Sequence, residues 1–135
     1  MKKLLSTNYS AGAFNFAMLL LRLIVGILIM QHGYSKLIHF GDLQHKFMNF
    51  MGIGTTASLA LVVFAEFFCG LFIIIGLFTR FATIPLIITM CVIIFKVNEG
   101  KVFETAETAP LYLAAFLTLL IVGPGKVSVD GMIGK

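Results

Sequence analysis

Residues 57–77 read ASLALVVFAEFFCGLFIIIGL, and after only Phe78-Thr79-Arg80 the chain resumes with FATIPLIITMCVIIFKV at 81–97. At 1.5 Å per residue the first run is about 31 Å long, close to the thickness of a bilayer's hydrocarbon core. One charge interrupts it, Glu66. The three-residue link forces the two runs into an antiparallel helical pair, and Pro85 falls in the first turns of the second, where its fixed φ and missing N–H cost least. Upstream, FNFAMLLLRLIVGILIMQH at 14–32 spans about 28 Å and carries one charge, Arg22. Downstream, APLYLAAFLTLLIV at 109–122 is short, but extended back to residue 106 it makes a fourth span. Pro110 sits near its start and Gly123-Pro124-Gly125 stops it. The expected spans are therefore 14–32, 57–77, 81–97 and 106–122.

Composition points the same way. Of 135 residues, 59% are hydrophobic and 12% charged, with a mean hydropathy of +1.03, against about 25% charged residues in an average soluble domain. That leaves almost no room for a water-soluble globular protein, and the length fits one domain over 1–135 without a separate catalytic domain. The net charge of +4 fits basic residues at a membrane surface better than nucleic-acid binding. Lys2 and Lys3 resemble the start of a signal peptide. Arg22 breaks the apolar region that would follow, and Gly33-Tyr34-Ser35 is a poor cleavage site, so a retained helix is expected.

The 33–56 segment is too long for a hairpin turn. Within it DLQHKFMNFM, residues 42–51, places Leu43, Phe47 and Phe50 or Met51 on one face, the pattern of a helix lying on the membrane surface. A polar loop, NEGKVFETAET at 98–108, would lie on the same side. The expected fold is thus all-α: a four-helix transmembrane bundle with a short interfacial helix between its first and second helices. With the N-terminus inside, Lys2, Lys3, Arg80, Lys126 and Lys135 face the cytoplasm and Lys36, Lys46, Lys96 and Lys101 face out. The excess of one favours a multi-pass protein of the cytoplasmic membrane with both termini inside.

An ionisable side chain at the centre of a membrane helix costs about 2.5–3.5 kcal/mol even on lenient scales, so it needs a partner or a polar cavity. Arg22 and Glu66 each lie one residue from the centre of their runs, which predicts similar depth and pairing across neighbouring helices. Helical rotation puts Arg22 on one stripe with Gly26, Gly33 and Lys36, and Glu66 on one face with Val62, Gly70 and Ile73. Glycine on both faces allows close approach. Such a pair is either a structural device that fixes register or a site, in which Glu66 accepts a proton or anchors substrate and Arg22 binds an anion, carbonyl or quinone oxygen. His32 and Lys36, at the outer end of the first helix, are placed to relay protons or to anchor the interface. His32, His39 and His45 are spaced by seven and six, unlike a metal pair, and no metal site is expected. Cys69 and Cys91 stand in apolar runs without a Cys-x-x-Cys spacing and read as packing residues. Gly123-Pro124-Gly125-Lys126 lacks the earlier Gly and the following Ser or Thr of a phosphate-binding loop.

Taken in order, these residues resemble the DoxX family of small membrane proteins. The resemblance rests on Arg22-Leu23 with Gly26, then His32-Gly33-x-x-Lys36-Leu37, then Glu66-x-x-x-Gly70 running to Gly76-x-x-Thr79-Arg80-x-Ala82. Met90 and the ending Gly123-Pro124-Gly125-Lys126-x-Ser128-x-Asp130 complete it. A single Gly70 stands where a Gly-Gly pair is common in the family, and Lys126 where Arg is frequent. The resemblance implies a four-helix bundle in the cytoplasmic membrane, with Gly26, Gly33, Gly70, Gly76, Thr79, Arg80, Gly123, Pro124, Gly125 and Asp130 as structural motif residues. It also implies a link to oxidoreductase assemblies, since some relatives are subunits of thiosulfate:quinone oxidoreductase and others accompany thiol and superoxide defence enzymes.

Three functions follow as expectations. The first is a membrane subunit of a redox or oxidative-stress complex, with a quinone near Arg22, His32, Lys36 and Glu66 and protein partners or further copies of itself in the bilayer. Whether the chain is itself catalytic is open. The second is a transporter or channel for protons or a small solute along Arg22 and Glu66. The third is a scaffold in which the charges only specify the fold.

Overall fold

The computed structural model describes residues 2–45, 52–97 and 108–134. Every regular element among them is helical: α1 (Lys2–Leu5), α2 (Ala11–Ile38), α3 (Phe40–Leu43), α4 (Thr55–Val63), α5 (Gly70–Ile75), α6 (Thr79–Val92), α7 (Thr108–Val122) and α8 (Val129–Ile133). A π-helical stretch, Phe64–Cys69, joins α4 to α5 without a break, and another, Ile93–Val97, extends α6. Two helices are long and apolar enough to cross a bilayer, Ala11–Ile38 and Thr55–Ile75; Thr79–Phe95 and Thr108–Val122 are apolar but shorter.

Local chemistry sets most of the boundaries. Ser10 caps α2 by accepting a hydrogen bond from the Ala13 N–H, 3.1 Å away. The helix does not stop at His32. It runs through Gly33 to Ile38, because the glycine there is a point of helix contact instead of a helix end. The 55–75 helix ends at Gly76 in the left-handed region, φ 74°, a usual C-terminal cap. Phe78, also left-handed at φ 48°, completes the tight link, and α6 starts at Thr79. α7 ends at Val122, where Gly123 turns the chain at φ 92°. The interfacial helix expected at 42–51 lies largely outside the described residues, and within them α3 ends at Leu43. The polar loop expected at 98–108 and the start of the fourth span at 106–107 also fall outside them.

Glycine fixes the packing of α2 against the 55–75 helix. A Cβ added to Gly33 would lie 2.5 Å from the Phe67 nitrogen and 2.8 Å from the Glu66 carbonyl carbon; one added to Gly26 would lie 3.2 Å from the Gly70 oxygen. These contacts pair 33 with 66–67 and 26 with 70, so the helices are antiparallel, with backbones closer than any side chain would permit. α6 packs on α7, also antiparallel, since Arg80 at the start of α6 donates to the Val122 carbonyl at the end of α7. Ile29, Ile73, Leu86, Phe116 and Leu119 fill the centre. Leu20, Ile27, Phe64, Ile88, Leu111 and Ile121 face outward from all four segments, an apolar exterior suited to lipid.

Candidate functional site

The helix register separates the two central charges. Because 33 lies opposite 66–67 and 26 opposite 70, residue 22 falls opposite Gly76, and the Cβ position of Gly76 is filled by the Arg22 Nη1 and the Ser128 Cβ. Arg22 and Glu66 therefore lie near opposite ends of the packed pair and form no ion pair, contrary to the expectation from their central positions in the sequence. Depth counted from the middle of each apolar run assumes that the runs overlap in full. The glycine contacts instead stagger them by about ten residues, roughly 15 Å.

Glu66 pairs with Lys36. Its Oε1 accepts a hydrogen bond from the lysine Nζ in the one salt bridge among the described residues, between a carboxylate side chain 2% exposed and a lysine side chain 27% exposed. Three features position the pair. Gly33 brings α2 onto the Glu66 backbone, so Lys36, nearly one turn later, reaches across the contact. Glu66 lies inside the π-helical stretch, whose wider turn buries Ala65 and Glu66 together and then Cys69 and Gly70. Single π-turns within helices often mark functional positions.

Aromatic rings border this pair. Tyr112, buried on α7, meets His32 edge to face at 6.2 Å between centroids and stacks on Phe116 at 5.9 Å. Tyr112 is also within electrostatic reach of Glu66. Tyr34 and Phe67 face each other at 6.3 Å. His32 itself is exposed. The structure thus gathers His32, Lys36 and Glu66 from the sequence-predicted set, adds Tyr112, and leaves Arg22 out. Nothing in LYL at 111–113 marks its tyrosine as part of a site; only the three-dimensional packing of α7 on α2 does.

Arg22 belongs to a second cluster at the opposite end, made where the chain after α7 folds back. It is 1% exposed and its Nη2 donates to the Val127 carbonyl. Asp130, the first acid after α7 among the described residues, accepts from the Phe78 N–H at 2.8 Å and the Thr79 N–H at 2.9 Å, capping the start of α6. Its own N–H donates to the Gly76 carbonyl at 2.8 Å. Asn15 accepts from the Lys126 N–H at 2.9 Å, and Ser128 caps α8 through the Gly131 N–H. The motif residues Gly76, Thr79, Arg80, Gly123, Gly125 and Asp130 all meet here, whereas Gly26, Gly33 and Gly70 line the α2 contact. Pro124, between two left-handed glycines, shapes the return. Sequence reasoning passed over Asn15, the one polar residue among apolar neighbours at 13–21, which was its available signal.

Among the described residues no three His, Cys, Asp or Glu side chains come together at metal-binding distance. Cys69 and Cys91 are both free thiols.

Comparison with known proteins gives a consistent result. The family model described as DoxX matches residues 17–99. An "Uncharacterized membrane protein Rv3486" of Mycobacterium tuberculosis is 28% identical over 130 residues, covering 85% of this chain and 80% of that protein. A "Putative oxidoreductase CatD" of Bacillus subtilis is 29% identical over 125 residues, covering 91% of each. No solved structure matches the chain significantly.

Proposed function

The chain belongs to the DoxX family of membrane proteins, and on that premise we propose that it is the membrane subunit of a redox-linked complex that binds a quinone beside Lys36 and Glu66. In this reading, residues 1–135 form a single domain, a four-helix multi-pass bundle in the cytoplasmic membrane. The two shorter apolar helices cross beside the two long ones, with which they share a core. Arg80 and Lys126 lie at the α8 end, which supports placing that end and both termini in the cytoplasm. The bilayer is its surroundings, and an oxidoreductase partner, with or without further copies of the chain, completes the assembly. The likeness to a relative named as an oxidoreductase supports the redox part.

The observation that carries the proposal is the buried Glu66, set in a π-turn, held by the partly exposed Lys36 and bordered by aromatic rings. These residues fit a quinone. Its carbonyl oxygens accept hydrogen bonds, and Lys36 has donors beyond the one given to Glu66. Tyr112 and His32 offer ring faces and further polar atoms. A bound quinone would supply reversible two-electron, two-proton chemistry there. Lys36 donates to and orients the oxygen nearest the pair. Glu66 holds the site's negative charge and takes or returns a proton at Oε1. His32, exposed at the same end, exchanges that proton with water. Arg22 has no part in the site.

The test is thermal unfolding in nanodiscs, with and without added quinone, on the wild type and Glu66→Gln, with bound quinone extracted from each. The wild type should gain stability, about 2.7 kcal/mol at a hundredfold excess over Kd, and Glu66→Gln should lose most of that gain and carry less quinone. A wild type that neither shifts nor carries quinone would refute the proposal.

A further inference from the structure

The α8 end of the bundle carries large apolar side chains that its own packing leaves uncovered. Three segments meet there: Asn15 near the start of α2 accepts from the Lys126 N–H, Asp130 accepts from the Phe78 and Thr79 N–H groups, and Arg80 donates to the Val122 carbonyl. With the Ser128 cap on the Gly131 N–H, these bonds seat residues 126–131 on the rim of the bundle as an ordered strap. Yet Phe78, Phe81, Val127, Met132 and Ile133 on these segments are between 55% and 76% exposed. Exposed apolar groups gathered in this way mark a surface that meets lipid or another protein.

The charges beside them favour lipid. Arg80 and Lys126 are exposed, and neither makes a salt bridge among the described residues. Residues 1–41, 67–98 and 108–135 hold a single acid, Asp130, whose two oxygens are engaged by backbone N–H groups and whose charge acts on the buried Arg22. Apolar groups set among cations match the headgroup layer of an anionic leaflet, where phosphates attract Lys and Arg and the acyl boundary takes up apolar side chains. The patch also continues the apolar exterior of the bundle: Phe81 begins the exposed row that Ile84 and Ile88 extend along α6, and Ile121 and Val122 bring the exposed face of α7 to the same end. That continuity favours the bilayer over a soluble protein as the occupant.

We propose that the strap and α8, residues 126–133, form a foot that docks on an anionic lipid leaflet. Met132 and Ile133 enter the acyl boundary beside Phe78 and Phe81, while Lys126 and Arg80 meet lipid phosphates. Because the same strap caps α6 through Asp130 and bonds Arg22 through Val127, docking ties the order of this end of the bundle to the charge of the leaflet. Fourteen residues of α2, about 21 Å, separate Arg22 from Lys36, so the inference does not depend on the quinone reading.

The chain contains no tryptophan, so Ile133→Trp places a single fluorescent reporter on α8, and Met132→Trp repeats the measurement at the adjacent position. Both residues are exposed, so the larger ring displaces no packed neighbour. The full chain is reconstituted in nanodiscs of phosphatidylglycerol or of phosphatidylcholine, with or without lipids brominated high on the acyl chain, and acrylamide, a neutral quencher, reads access to water. In phosphatidylglycerol the emission should be blue-shifted, quenched by the brominated chains and protected from acrylamide. In phosphatidylcholine the water-exposed fraction of the reporter should rise about fivefold, the effect of one basic residue at an anionic surface, and adding Lys126→Gln should produce the same rise in phosphatidylglycerol. The Lys126 side chain makes no hydrogen bond or salt bridge among the described residues, so that substitution removes charge without loosening the strap. A reporter reached by acrylamide and untouched by the brominated chains in both lipids overturns the proposal and leaves the face to a soluble partner. Equal shielding in both lipids overturns it as well, since docking would then owe nothing to the charge of the leaflet.

Discussion

Gly76→Ala should destabilise the protein by about 2–5 kcal/mol, the largest loss expected from adding one methyl group to this chain. Two independent costs combine. Gly76 sits at φ 74°, and an L-residue there forfeits about 1–2 kcal/mol. The added Cβ would also occupy space already held by the Arg22 Nη1 and Ser128 Cβ, and overpacking of this kind costs about 1–3 kcal/mol. Relief requires the strap to lift, which would break the bonds from Arg22 to the Val127 carbonyl and from the Asp130 N–H to the Gly76 carbonyl. Denaturant unfolding in micelles measures the loss, and trypsin cleavage after Lys126 should accelerate in step. A loss under about 1 kcal/mol with unchanged cleavage would mean that the strap is not seated on Gly76.

Lys36→Met should cost about 2–3 kcal/mol and Lys36→Met with Glu66→Met much less. Removing one partner of a fully buried pair costs about 3–5 kcal/mol, because it strands the other charge. Lys36 retains 27% exposure, so part of the attraction is screened and the lower figure applies. Methionine keeps the apolar length of either side chain, so the double variant loses the charges together while filling similar volume. A double-mutant cycle from unfolding curves in nanodiscs should give a coupling above about 1 kcal/mol. Additive losses would show that the pair contributes contact without electrostatic dependence.

The four apolar segments were readable because their signals are local: run length, Pro85 early in a helix, glycine after 75 and after 122. Glycine positions 26, 33 and 70 were readable as contact points for the same reason. The partner of Glu66 was not. Choosing between Arg22 and Lys36 depends on how far one helix slides along the other, and that is decided by which glycines meet. Gly33 meets the backbone of Glu66, a fact that helical rotation constrains only in angle and leaves free along the axis. The π-turn at Phe64–Cys69 had no sequence mark. Tyr112 and Asn15 enter through α7 and the returning strap, contacts that bridge about eighty and one hundred and eleven positions along the chain. The motif residues around Gly76 and Asp130 were recognisable as a set, yet their common purpose, anchoring the strap over Arg22, emerges only from the fold.

A quinone site beside Lys36 and Glu66 is tested by photoaffinity labelling with an azido-quinone in nanodiscs, followed by mapping of the labelled residues. Saturable labelling is expected within 32–36, 64–67 or at Tyr112, displaced by excess unmodified quinone and lost in Glu66→Gln. Labelling that excess quinone does not displace, or that concentrates at the α8 end around Arg22, would contradict it.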